Sequence, residues 1–151
     1  MREKMFKNKD IFNIRHLNGL KNNISIKCLQ DDKTARKIGS FLTGRNAFDH
    51  TWSPQEKQIV KQAALQSLGK SNRKYWYAEY QGKIIAALGI SENKYMSGGY
   101  AMTDDYMAVH KHYRRLGIAT NLLKLAEKFV TKRHGRYIHI MTCDIDSYIP
   151  A

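Results

Sequence analysis

The stretch from Arg115 to Lys132 constrains this chain most. Ile118, Ala119, Leu122, Leu123, Ala126, Phe129 and Val130 recur on one face at helical spacing. Lys132 and Arg133 suit a helix C-terminus and Gly135 ends it. An apolar run closes at Val109 before the helix, and another, Tyr137 to Cys143, follows it. A helix joining two apolar strands predicts a right-handed parallel β-α-β unit, so the chain must build a sheet with helices against it.

The remaining patterns fit around that unit. Ile24, Ile26 and Cys28 alternate with Ser25 and Lys27 as a strand. Asp31 or Asp32 offers an N-cap to a helix carrying Ala35, Ile38, Phe41 and Leu42. Ser53-Pro54-Gln55-Glu56 is a helix start with a capping box, and Ile59, Val60, Ala63, Ala64 and Leu68 form its apolar face. Lys74–Tyr80 and Lys83–Ile90 flank the turn Gln81-Gly82, and a third strand is predicted over Ala101–Val109. These three strands should be antiparallel. The expected order is β-α-α-β-β-β-α-β, an α/β fold on one mixed, largely antiparallel sheet with flanking helices.

The chain's 151 residues are enough for one domain. Residues 1–22 read as a basic N-terminal arm, and residues 23–151 as a single domain. With 42% hydrophobic residues the chain can bury a core. No apolar run approaches the roughly 18–20 residues of a membrane span, and no secretory signal is visible behind Met1. Cys28 and Cys143 form no disulfide framework. A cytoplasmic location with no membrane partner is the expectation. The net charge of +13 favours anionic ligands, from phosphorylated cofactors to nucleic acid, or a solvated cationic surface.

The segment that carries chemistry runs from Met107 to Thr120. A buried strand ends at Val109, and Arg114-x-x-Gly117-x-Ala119 opens the helix. The first turn of a helix leaves about four N–H groups without intrahelical partners, and its dipole adds about half a positive charge. Gly117 permits close approach or close packing, Ala119 is small, and Arg114 and Arg115 are cations suited to phosphate. A pyrophosphate matches such a site.

This segment resembles motif A of the GNAT superfamily, the acetyl-CoA-dependent N-acetyltransferases. The match is Arg114-x-x-Gly117-x-Ala119 after Ala108-Val109, with Leu122-Leu123 following. The hairpin Tyr77-Ala78-Glu79-x-x-Gly82-Lys83-Ile84, continuing to Ala87, is also similar to the family's second and third strands. The resemblance covers roughly residues 23–151. It implies that Met107, Ala108 and Val109 pair with the pantetheine arm of acetyl-CoA. It also implies that Arg114, Arg115, Leu116, Gly117, Ile118, Ala119 and Thr120 hold the pyrophosphate. Lys124 or Lys111 could meet the adenosine 3′-phosphate. The implied reaction is direct transfer of an acetyl group to an amine acceptor, small or borne on protein or RNA. A base must take the amine's proton. Asp104 and Asp105 are the nearest acidic candidates, with Glu79 a weaker one.

Other residues carry less. His110 and His112 flank the loop, but no third ligand makes a metal site with them. Cys143 reads as a buried filler. The loop 43–52, with Arg45, Asp49, His50 and Trp52, lies where the family shapes its acceptor site. Relatives continue beyond Asp144–Ala151 into another helix and two strands, so the resemblance implies a C-terminally truncated fold. The uncovered sheet edge predicts a homodimer through the last strand. One alternative is a catalytically impaired acetyl-CoA-binding module. Another is a nucleic-acid-binding protein, for which Ala64–Ser71 faintly resembles a helix-turn-helix.

Overall fold

The structure, a computed structural model, describes residues 23–49, 51–102 and 105–140. The arm 1–22, His50, Asp104 and Cys143 lie outside the described residues. Among the described residues, six strands and three helices follow in order: β1 (Ser25–Cys28), α1 (Asp32–Leu42), α2 (Pro54–Ser67), β2 (Arg73–Tyr80), β3 (Lys83–Glu92), β4 (Gly99–Ala101), β5 (Met107–Val109), α3 (Ile118–Lys132) and β6 (Tyr137–His139). The sheet runs β1-β2-β3-β4-β6, with β5 also on β3. All its pairings are antiparallel except that of β4 with β6. The mixed, mostly antiparallel architecture is the one the sequence predicts.

Both capped helices begin where their sequences direct. Asp31 accepts from the Thr34 N–H at 2.8 Å. Ser53 and Glu56 close a capping box, with Pro54 in the first turn of α2. The helices cross closely at Gly39, where any Cβ would lie 2.9 Å from Lys61 Cα. After α2 the chain turns directly into β2, so Ala64–Ser71 leads into no second helix of a helix-turn-helix.

The sheet has a core on each face. Tyr75, Tyr77, Ile84 and Ala87 pack with Ile38, Leu42, Val60 and Ala64 beneath α1 and α2. Trp76, Ala78, Leu88 and Ile90 pack with Leu122, Ala126 and Val130 beneath α3. The alternation in β2 produces this division. In β3 the register shifts opposite Ala78/Glu79, so consecutive Ile85 and Ala86 share the α3 face.

Three expectations are corrected. The strand predicted over Ala101–Val109 is two, β4 and β5. Between them Tyr106 adopts φ 56, and its N–H donates to Met102 O while its carbonyl accepts from Gly89 N–H. A left-handed non-glycine residue cannot continue a pleated ladder, so the strand breaks there. The helix predicted from Arg115 begins at Ile118, because Arg115 (φ 66) and Gly117 (φ 79) are both left-handed. Finally, β6 pairs with β4 and not with β5 among the described residues. The outer edge of β5 is thereby left open along the sheet.

Candidate active site

The break between β4 and β5 creates the site. Since β6 follows β4, the edge of β5 and the start of α3 face a cleft of about 430 Å³. One wall is Met107, Ala108 and Val109. The floor is Arg114, Arg115, Gly117, Ile118, Ala119 and Thr120, and Ala47, Phe48 and Tyr113 complete the rim. Every residue expected at the pantetheine arm and pyrophosphate lines this cleft except Leu116. That side chain is buried in the core under α3 and also lines a smaller neighbouring groove.

The start of α3 is built to receive an anion. Its N-cap is Gly117, which supplies no side-chain hydrogen bond, so the first-turn N–H groups are left for another acceptor. Two left-handed residues just ahead, Arg115 and Gly117, turn the backbone into the kind of concavity that gathers amides round an anion. A Cβ at Gly117 would meet nothing within 4 Å. Close packing therefore does not explain this glycine. Its positive φ does, and it leaves the ligand side open.

The Arg114 side chain is a structural tie. Its Nε donates to Val109 O at 3.1 Å and its Nη2 to Ala47 O at 3.2 Å. The guanidinium thus joins the end of β5 to the loop after α1. The Lys111 N–H reinforces the tie by donating to Asn46 O at 2.9 Å. The sequence marked Arg114 as a phosphate cation; the geometry commits two of its five N–H donors to carbonyls and leaves the side chain lining the cleft. Ala47 and Phe48 carried no sequence signal, because they reach the cleft only through this contact 67 residues away.

Beside the cleft stands an aromatic cluster. Phe48, Trp52 and Tyr106 meet edge to face, with ring centroids 5.3–5.8 Å apart. The loop predicted to shape an acceptor site therefore packs onto the chain just before β5.

Asp105 sits elsewhere. It is fully buried, 0% exposed. Its Oδ1 accepts from Tyr75 Oη at 2.6 Å and from Arg73 Nε at 2.8 Å. Its Oδ2 has no hydrogen-bond partner among the described residues. Burial, and then the neighbouring Asp105 carboxylate, push the Tyr75 hydroxyl well above its ordinary range, so it stays a donor. Gly89 has no side chain to collide with the Tyr75 ring and Asp105. Glu79 is on β2, ion-paired with Lys27 at 3.5 Å. Lys124 and Lys111 do not line the cleft.

His110 and His112 contact each other, the His112 N–H donating to His110 Nδ1 at 3.1 Å. Burial, then the cations His112, Lys111 and Arg114, hold His110 below its ordinary value. Among the described residues no group of three or more His, Cys, Asp or Glu is placed to hold a metal. No described helix is long and apolar enough to cross a membrane.

A mostly antiparallel sheet thus parts at the break between β4 and β5, with the uncapped start of α3 at that parting. The family model for the acetyltransferase (GNAT) family matches residues 41–149, and the chain belongs to that family. Membership makes acetyl-CoA its acetyl donor. No curated protein matches the sequence significantly. Among solved structures, a GNAT-family protein from Desulfovibrio desulfuricans is 15% identical, with TM-score 0.65 over 83% of this chain and 76% of its own. A GNAT-family acetyltransferase from Staphylococcus aureus Mu50 is 17% identical, with TM-score 0.64 over 80% and 74%. AAC(6')-Iy, solved with the bisubstrate analogue CoA-S-monomethyl-acetylneamine, is 14% identical, with TM-score 0.61 over 82% of each chain. At these identities the likeness shows the fold alone.

Proposed function

We propose that this chain moves an acetyl group from acetyl-CoA directly to an amine. One observation carries the reading: an unpaired strand edge, a left-handed glycine and an uncapped helix start line a single cleft. In this reading the edge of Met107–Val109 holds the pantetheine arm, as a strand would. The N–H groups from Arg115 to Thr120 hold the pyrophosphate. The amine nitrogen bonds to the thioester carbonyl carbon, the C–S bond breaks, and the thiolate leaves. The nitrogen's proton passes to a base.

Asp104 and Asp105 are the proposed acidic residues, in different roles. The Oδ1 of Asp105 is already engaged by Tyr75 and Arg73, which favours a positioning role that locks the break before β5. Asp104 is the proposed base. The acceptor amine enters past Phe48, Trp52 and Tyr106, whose rings border the strand's start. AAC(6')-Iy was solved with an acetylneamine conjugate of CoA, so aminoglycoside amines belong in the panel of acceptors beside protein and RNA amines.

The test is acetyl-CoA-dependent release of free thiol across such a panel. Asp104→Asn should lower kcat and leave acetyl-CoA binding intact. Asp105→Asn should lower the melting temperature along with activity. Acetyl-CoA binding without turnover on any amine would favour the binding-module alternative. Full activity in Asp104→Asn would remove Asp104 as the base.

A further inference from the structure

Two turns meet at the end of α3 that lies away from the cleft. One, residues 93–98, joins β3 to β4; the other, residues 133–136, joins α3 to β6. They are clasped together. The Arg136 N–H donates to Gly98 O at 2.7 Å, and a Cβ at Gly98 would meet the Arg136 side chain at 3.1 Å. With 15 residues, α3 holds this end about 22 Å from the helix start that borders the cleft. No residue from 93 to 102 or from 128 to 140 is acidic, and Glu92 and Glu127 stand only at the margins. Lys94, Lys132, Arg133 and Arg136 are exposed there, and none is ion-paired among the described residues.

Helix chemistry explains part of this. Lys132 and Arg133 end α3, where cations offset the dipole, and Arg133 also gives its Nε to Tyr100 Oη at 2.7 Å. It does not explain Lys94, Arg136 or Tyr95. Tyr95 is 96% exposed, with Met96 beside it. Its turn is held by bonds of its own: the Tyr95 N–H donates to Asn93 Oδ1 at 3.0 Å, and the Gly99 N–H to Met96 O at 2.9 Å. An ordered turn thus presents a ring face to water among cations suited to phosphate. None of these residues lines either groove at the start of α3. A lipid surface needs more apolar area than one ring and one methionine supply. An acidic peptide brings carboxylates but no flat face for the ring.

We propose that this end of the molecule binds single-stranded nucleic acid, with phosphates on Lys94, Arg133 and Arg136 and an unpaired base stacked on Tyr95. A single strand supplies both features together, a phosphate at each residue and a flat base between them. A duplex keeps its base faces stacked inside, so the ring selects against it. The net charge of +13 adds long-range attraction but no site of its own. The surface stands apart from the cleft, and the inference does not rest on the acetyl-CoA reading.

Fluorescence anisotropy on the full chain tests this, with a short, unstructured labelled RNA and a duplex of the same length. Wild type is compared with Tyr95→Ala, with Lys94→Glu/Arg136→Glu, and with the control pair Lys37→Glu/Lys83→Glu on α1 and at the start of β3. All these positions are exposed, and the two pairs change the net charge equally. Melting temperatures check folding; should Arg136→Glu lower its own, Lys94→Glu against Lys83→Glu replaces the pairs. Tyr95→Ala should bind the single strand about tenfold more weakly, with the salt slope and duplex binding unchanged. Lys94→Glu/Arg136→Glu should weaken single-strand binding about tenfold more than the control pair and flatten its salt dependence. The proposal is overturned if Tyr95→Ala leaves single-strand binding unchanged, or if the two charge pairs weaken it alike, since net charge alone would then attract the RNA. Tighter binding to phosphatidylserine vesicles or to polyglutamate than to RNA would overturn it too, in favour of a lipid surface or an acidic protein.

Discussion

Gly117 does its work through its backbone. At φ 79, with open space where a Cβ would stand, substitution costs conformation and not collision. Gly117→Ala should destabilise the protein by about 1 kcal/mol, since an L-residue pays roughly that in the left-handed region. Thermal unfolding checks this figure, and weaker acetyl-CoA binding should accompany it. His110 makes a pH prediction. Its folded pKa lies below the ordinary 6.5, so the unfolded chain takes the proton first. Above about 6.5 the residue contributes nothing to the pH dependence; below it, stability falls as pH falls towards the lower folded value. Urea unfolding of wild type against His110→Gln between pH 7.5 and 5.5, about one unit either side of that point, should show the wild-type slope reduced in the variant. A steeper slope in the variant would contradict it.

The helices and strands were largely legible from periodicity, and the contacts between them were not. Leu122, Ala126 and Val130 fall where the apolar stripe of α3 placed them, against the sheet. The caps of α1 and α2 were legible because a cap is a local bond over three residues. The division of one expected strand into β4 and β5 was hidden. It depends on Asp105 being drawn inward to Arg73 and Tyr75, some 30 residues away. The pattern Arg114-x-x-Gly117-x-Ala119 located the cleft, which Arg114 lines, but did not show the tie its side chain also makes. Only the fold shows that its donors meet Val109 and Ala47. Arg114→Ala should therefore act on the joint between β5 and the loop after α1. Its expected signature is acetyl-CoA affinity about tenfold lower, from the loss of two charge-assisted bonds that shape the cleft. Hydrogen exchange should rise at residues 46–48 in the same variant. Unchanged exchange there, with weaker binding, would mean that the guanidinium touches phosphate directly.

At the scale of the molecule, two cores grip one sheet, and among the described residues β6 lies at its far edge. Tyr137 and Ile140 expose apolar surface there, 37% and 49%. An edge with such residues invites a second strand. We expect light scattering to show a dimer that grows with concentration and recedes in Tyr137→Lys; a strict monomer at high concentration would count against it. The net charge of +13 does not specify the ligand, though Arg114 and Arg115 place two of its cations at the cleft.

The central claim is that residues 107–120 form the acetyl-CoA site, and thermal unfolding with and without acetyl-CoA tests it most directly. Wild type is compared with the double variant Arg114→Glu/Gly117→Glu. At about 100 times its Kd the ligand should add roughly 2.7 kcal/mol to the wild type, and the shift should vanish in the variant. An equal shift in both proteins, or none in the wild type, would contradict the assignment of the cleft.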